Sequence, residues 1–152
     1  MDLSSVIKNY DLKSLTLGVL GSHSALDLCL GAKNQGLKNI VVAQNGREKV
    51  YQDSYIKKGE EGCVDEVVVL GSFKDILKKE NQEKLRKKNV VFVPHRSFQA
   101  YLDFDYEAIE KNFEVPVFGN RELLKIEERG IKPNQYDLLL EAGIKTQNLG
   151  VV

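Results

Sequence analysis

Apolar and β-branched residues gather in five short runs along the chain, at residues 15–20, 39–43, 66–70, 90–93 and 115–118. Each run is nearly continuous in apolar character instead of alternating, as expected for strands buried on both faces of a parallel sheet. Between and after them the apolar spacing changes to a helical period, over 24–35, 73–79, 81–88, 104–111, 120–128 and 136–142. Strand and helix in alternation predict a doubly wound α/β architecture, a mainly parallel sheet flanked by helices. In such sheets small ligands bind beyond the carboxyl ends of the strands, where the strand order reverses. The chain shows no internal repeat, low-complexity tract or proline-rich linker, and its 152 residues suit one domain with a sizeable core.

The most informative junction is Leu20-Gly21-Ser22-His23-Ser24-Ala25-Leu26-Asp27. Here an apolar run breaks at a glycine and restarts as a helical pattern. The unpaired N–H groups at such a helix start, with the positive end of its dipole, favour an anion. Glycine permits close approach of a ligand, and Ser22, His23 and Ser24 place three polar side chains at one point.

Two other strand ends have the same character. Pro94-His95-Arg96-Ser97-Phe98 follows the run at 90–93, and Gly119-Asn120-Arg121 follows the run at 115–118. If all three lie at strand C-termini they share one rim of the sheet. That rim would offer His23, Ser97, Gly21, Ser22, Ser24, His95, Arg96, Asn120 and Arg121 around one crevice, a set suited to a phosphorylated small molecule. Gly46-Arg47, after the second run, is a weaker candidate to face a phosphate.

Composition narrows the classes of function. Lys plus Arg and Asp plus Glu balance at 22 each, which argues against a broad nucleic-acid surface. The lysines near 78–88 are interleaved with Glu80 and Glu83, the pattern of a solvated helix face. No apolar run approaches the roughly 20 residues of a bilayer span, and residues 1–10 have no signal-peptide character, so a cytoplasmic home is expected. Cys29 falls on the apolar side of the first helix and Cys63 in a polar loop. Neither has a second cysteine or a histidine at metal spacing, so no metal site or disulfide is expected.

The three junctions together closely resemble a known family. Leu20-Gly21-Ser22-His23-Ser24-Ala25-Leu26 followed by Leu30-Gly31-Ala32-Lys33, then Val93-Pro94-His95-Arg96-Ser97-Phe98, then Val115-Pro116-Val117-Phe118-Gly119-Asn120-Arg121, stand in the same order as signatures of the archaeal formate-dependent FAICAR synthetases. Leu139-Leu140-Glu141-Ala142-Gly143-Ile144 resembles that family's entry into its ATP-grasp half. The resemblance implies a Rossmann-like pre-ATP-grasp domain over 1–143, with 144–152 beginning a linker to an ATP-grasp domain that this chain does not contain. It implies an ATP-dependent carbon–nitrogen ligase of purine (IMP) biosynthesis. ATP activates formate, and the 5-amino group of aminoimidazole carboxamide ribonucleotide (AICAR) attacks the activated formyl group to give FAICAR. By motif, His23 and Ser97 are the AICAR contacts. ATP and Mg2+ belong to the ATP-grasp half, so this chain alone would be inactive; a homo-oligomer is possible.

Two departures from the family stand out: Arg96, where the family commonly has glycine, and the end of the chain at Val152. Arg96 either clamps a phosphate or crowds the pocket. These departures keep open an alternative, a stand-alone, non-catalytic module that binds a ribonucleotide or another phosphorylated ligand. A dinucleotide-binding Rossmann domain fits less well. The G-x-G-x-x-G spacing is missing, and Gln44 and Asn45 stand where an acidic residue is needed.

Several residues also have plainer readings. Ser24-x-x-Asp27 has the form of a capping box. Ser97 can cap the helix starting near Phe98, and His95 can pack as a neutral, hydrogen-bonded histidine. For Arg121, pairing with Glu122 or Glu128 is favoured over ligand contact. Asp103 and Asp105 read as a helix start instead of an acid–base pair.

Overall fold

The computed structural model describes residues 6–145. Most of the stretch expected to begin a linker, and the whole of 146–152, lies outside the described residues. The chain divides into two compact units, separated in sequence between Gly119 and Asn120.

The first unit holds a four-stranded sheet of β1 (Thr16–Leu20), β2 (Lys38–Gln44), β3 (Glu66–Leu70) and β4 (Val90–Phe92), in the order β3-β2-β1-β4. Every pairing is parallel, with Gly18 opposite Ile40 on one side and Phe92 on the other. The helices of this unit are α1 (Ala25–Asn34), α2 (Lys79–Lys87), α3 (Arg96–Tyr101) and α4 (Tyr106–Asn112). The expected α/β class with a parallel sheet flanked by helices is therefore what the chain adopts.

The central strands β1 and β2 are almost wholly buried, as their unbroken apolar runs require. On one face Val19, Val41 and Ala43 pack with Ala25 and Cys29 of α1 and with Tyr51, Cys63 and Val64. On the other, Phe92 meets Phe98 of α3 and Phe113 after α4, with ring centroids 5.0 and 5.4 Å away. Phe98 and Phe113 close the triangle at 5.3 Å.

Five local expectations are corrected. The run at 115–118 forms no strand: it makes a single parallel bridge, Phe92 with Val117. Phe92 N–H donates to Pro116 O and Phe118 N–H to Phe92 O. Pro116 has no N–H to extend the ladder, and Phe118 is exposed. The helix expected at 73–79 is a 3-10 helix, Phe73–Leu77, closed by a Ser72–Asp75 capping box. The helix expected from Phe104 starts at Tyr106, because Asp103 and Phe104 are left-handed; Asp105 caps it by accepting from Ala108 N–H. A π-helix, Val50–Tyr55, lies after β2 where no element was expected. Cys63, placed in a polar loop by sequence, is buried, because the loop folds back and Lys33 Nζ donates to the carbonyls of Glu60 and Gly62.

The second unit contains a 3-10 helix, Arg121–Glu127, where an α-helix over 120–128 was expected, and α5 (Gln135–Glu141). Asn134 caps α5 and forms a capping box with Asp137.

Candidate functional site

From β1 the chain builds outward through β2 to β3, then returns to the far side of β1 to lay down β4. The order reverses between β1 and β4, so the two loops leaving their carboxyl ends flank the point where such sheets bind small ligands. Those loops are Gly21–Ser24 and Pro94–Ser97.

Gly21 extends the sheet by one hydrogen bond, its N–H donating to Val42 O at 2.8 Å. A methyl group there would stand 3.0 Å from the Tyr51 ring and 3.3 Å from Val41, so any larger residue would have to push Tyr51 or Val41 aside by a few tenths of an ångström. The Tyr51 hydroxyl donates to Ser22 O at 3.2 Å and pins the loop from the π-helix side. No side chain caps α1. Ser24 occupies the cap position in helical, not extended, geometry and makes no side-chain cap bond, so the expected Ser24–Asp27 capping box does not form. The first-turn N–H groups of α1 thus have no side-chain acceptor at this rim.

His95 joins the two loops. Its Nδ1 accepts from Ser97 N–H at 3.2 Å, which makes His95, not Ser97, the cap of α3. With Nδ1 acting as acceptor, the proton sits on Nε2, which donates to Leu20 O at 3.0 Å, with Ser22 Oγ 3.4 Å from the same nitrogen. Burial pushes the His95 pKa below the ordinary histidine value and the nearby His23 adds to this, while the Leu20 contact opposes it. His95 is the neutral, hydrogen-bonded histidine of the plainer reading.

That strut brings His23 and Ser97 together from the two loops. His23 is exposed and Ser97 is buried, and Nδ1 of His23 stands 3.5 Å from Ser97 Oγ. The contact is long for a hydrogen bond, and Nε2 of His23 has no partner among the described residues. A hydroxyl that both donates and accepts, beside an imidazole with a spare nitrogen, suits a polar ligand carrying donors and acceptors.

The other candidates divide. Ser22 lies on the rim beside His95. Arg96 turns along its own helix: Nη1 donates to Gln99 at 3.1 Å, and the guanidinium lies 4.8 Å from the centre of the Phe104 ring. Asn120 and Arg121 belong to the second unit. Asn120 caps the 3-10 helix through Glu122 N–H at 2.9 Å, and Arg121 is nearly buried, its pKa lowered by desolvation. Sequence reasoning missed Tyr51, since a tyrosine in a π-helix of mixed polarity carries no periodic signal.

A domain family described as a protein of unknown function (DUF1246) matches residues 17–149. The chain belongs to this family. Among curated relatives, the 5-formaminoimidazole-4-carboxamide-1-(beta)-D-ribofuranosyl 5'-monophosphate synthetase of Methanopyrus kandleri is 41% identical over 145 residues, covering 95% of this chain and 37% of that protein. The synthetase of the same name from Methanobrevibacter smithii is 35% identical over 144 residues, with coverage of 95% and 37%. A crystal structure of an IMP biosynthesis protein, PurP, from Thermococcus kodakaraensis superimposes with a TM-score of 0.61 at 34% identity, covering 84% of this chain and 36% of that one. The resemblance to the FAICAR synthetases therefore holds. The chain spans 37% of the length of these two curated relatives.

Proposed function

We propose that this chain is the AICAR-holding part of a formate–AICAR ligase of purine biosynthesis, with His23 and Ser97 as the ligand contacts. One observation carries the reading. The two residues stand 3.5 Å apart at the switch point of a parallel sheet, in a chain related to proteins named for FAICAR synthesis. Ser97 Oγ and the His23 ring would hydrogen-bond the carboxamide or ribose and orient the 5-amino group for formylation. Gly21 keeps the loop low enough for the ligand to reach the first turn of α1.

ATP and Mg2+ are assigned to the remainder of such a ligase. Among the described residues no group of three or more His, Cys, Asp or Glu side chains could hold a metal ion. No helix among the described residues is long and apolar enough to cross a membrane.

Calorimetric titration of the chain with AICAR tests the reading, with AMP and ribose 5-phosphate as comparison ligands and His23→Ala and Ser97→Ala as variants. The expected result is saturable binding that prefers AICAR and weakens about tenfold in each variant, on the scale of one lost hydrogen bond to the ligand. Equal binding of all three ligands would favour the general phosphorylated-ligand module. Unchanged AICAR affinity in both variants would overturn the assignment of His23 and Ser97.

A further inference from the structure

Arg47 stands on the same rim, and its setting is unusual for a surface arginine. It follows Gly46, whose φ of 86° is a left-handed conformation that favours glycine. Arg47 N–H donates back to Gln44 O at 2.9 Å, so the chain turns sharply at the end of β2. Phe73, after β3, and Tyr101, at the end of α3, stack with centroids 4.4 Å apart and planes inclined by 12°. The Arg47 guanidinium carbon lies 5.7 Å from the Phe73 centroid and 5.4 Å from that of Tyr101, and Nη1 donates to the Tyr101 hydroxyl at 3.0 Å. Segments following three different strands thus hold one exposed cation in place.

No carboxylate lies within ion-pair distance of Arg47 among the described residues. Arg86, by contrast, is paired with Glu114, and Lys74 with Asp103. A guanidinium has five N–H donors, and only one of Arg47's is engaged. The aromatic stack and the Tyr101 bond already restrict the Arg47 side chain, so it loses less rotamer freedom on binding than a free arginine would. An immobilised guanidinium with unused donors is the group that best matches the paired oxygens of a phosphate.

Its position points to the site already described. Tyr101, whose hydroxyl accepts from Arg47, stands one helical turn along α3 from Ser97, and Gly21 N–H donates to Val42 O of β2, the strand that Arg47 follows. Tyr101 therefore ties Arg47 to the helix that carries Ser97. Building on the AICAR reading, we propose that Arg47 is the phosphate anchor of this site, taking the 5'-phosphate of the ribonucleotide while His23 and Ser97 hold the rest.

The test compares ligands that differ only in the phosphate. Calorimetry on the wild-type chain, Arg47→Ala and Arg47→Lys uses AICAR and its riboside, which lacks the phosphate. The expected result is a loss of about 10- to 100-fold for AICAR in Arg47→Ala, the range for a charge-assisted contact. The riboside should bind all three chains alike, and Arg47→Lys should fall between the others for AICAR. Equal losses for both ligands, or none, would overturn the anchor and leave Arg47 as a clamp between loops. A second measurement follows the Arg47 Nε–H resonance of the wild-type chain during titration with ribose 5-phosphate, inorganic phosphate and ribose. Saturating shifts with the two phosphates and none with ribose uphold the anchor even if AICAR does not bind, which separates its fate from that of the AICAR reading. No shift with either phosphate overturns it.

Discussion

His95 Nε2–H donates to the carbonyl of Leu20 at 3.0 Å, tying the end of β1 to the start of α3. The bond spans the point where the strand order reverses, so one neutral imidazole holds the loops of His23 and Ser97 together. Both ring nitrogens are committed, one as donor and one as acceptor, and a second proton would break the bond from Ser97 N–H.

That commitment predicts a pH dependence. The folded pKa of His95 lies below the ordinary value of 6.5 because of burial. Above that value the ring is neutral in both folded and unfolded chains, and its contribution to stability is complete. As pH falls through about 6.5 the unfolded chain takes up the proton first, and stability declines until the folded pKa is reached. Melting temperature measured between about pH 7.5 and 5 should fall less steeply in His95→Gln, which keeps a donor and an acceptor but cannot titrate. Parallel slopes in the two proteins would show that His95 does not control the dependence.

Phe98 is fully buried between Phe92 and Phe113 and immediately follows Ser97. Phe98→Ala should cost about 3–5 kcal/mol in denaturant unfolding, from lost burial and the cavity left behind. Phe98→Leu should cost less. If the packing of α3 also positions Ser97, Phe98→Leu will bind AICAR more weakly than wild type while remaining folded.

Asn39 is a buried polar joint on β2. Its Nδ2 donates to Cys63 O at 2.8 Å and its Oδ1 accepts from Asp65 N–H at 3.2 Å. Asn39→Ala leaves both partners unsatisfied and should destabilise the chain by about 2–3 kcal/mol. Asn39→Asp has the same shape, yet it loses the donor and sets a second carboxylate beside Asp65, whose Oδ2 accepts from Asn39 N–H at 2.9 Å. At pH 7 it should therefore be at least as destabilising, and equilibrium unfolding of the two variants checks the order.

Both thiols should be inert in the folded chain. Burial pushes the Cys29 pKa to about 12 and raises that of Cys63, against the pull of Lys33 and Lys57. Because the thiolate is the reactive form, iodoacetamide at neutral pH should modify neither cysteine until denaturant is added. Rapid native-state labelling of Cys63 would mean that the loop held by Lys33 opens readily.

The chain's own pattern determined the parallel sheet. Strands buried on both faces must be apolar throughout, so Leu17 to Leu20 and Ile40 to Ala43 could be read without knowing their neighbours; Val67 to Leu70 reads the same way although β3, at the sheet edge, is only partly buried. The loop motifs bearing His23 and Ser97 were legible for a related reason: strand ends that turn into helices need glycine and polar residues locally. Only the tertiary structure decided what those polar residues do. Ser24 looks like a cap and is not, because its backbone is helical; His95 is the cap, because an imidazole from one loop can also reach the carbonyl of Leu20. Arg47 was at most a weak signal in sequence, since its setting depends on Phe73 and Tyr101, 26 and 54 positions away, brought together by crossovers that no local spacing records. Short-range periodicity follows from backbone geometry, whereas a hydrogen bond or a ring stack between distant loops exists only once the sheet has placed its strand ends side by side.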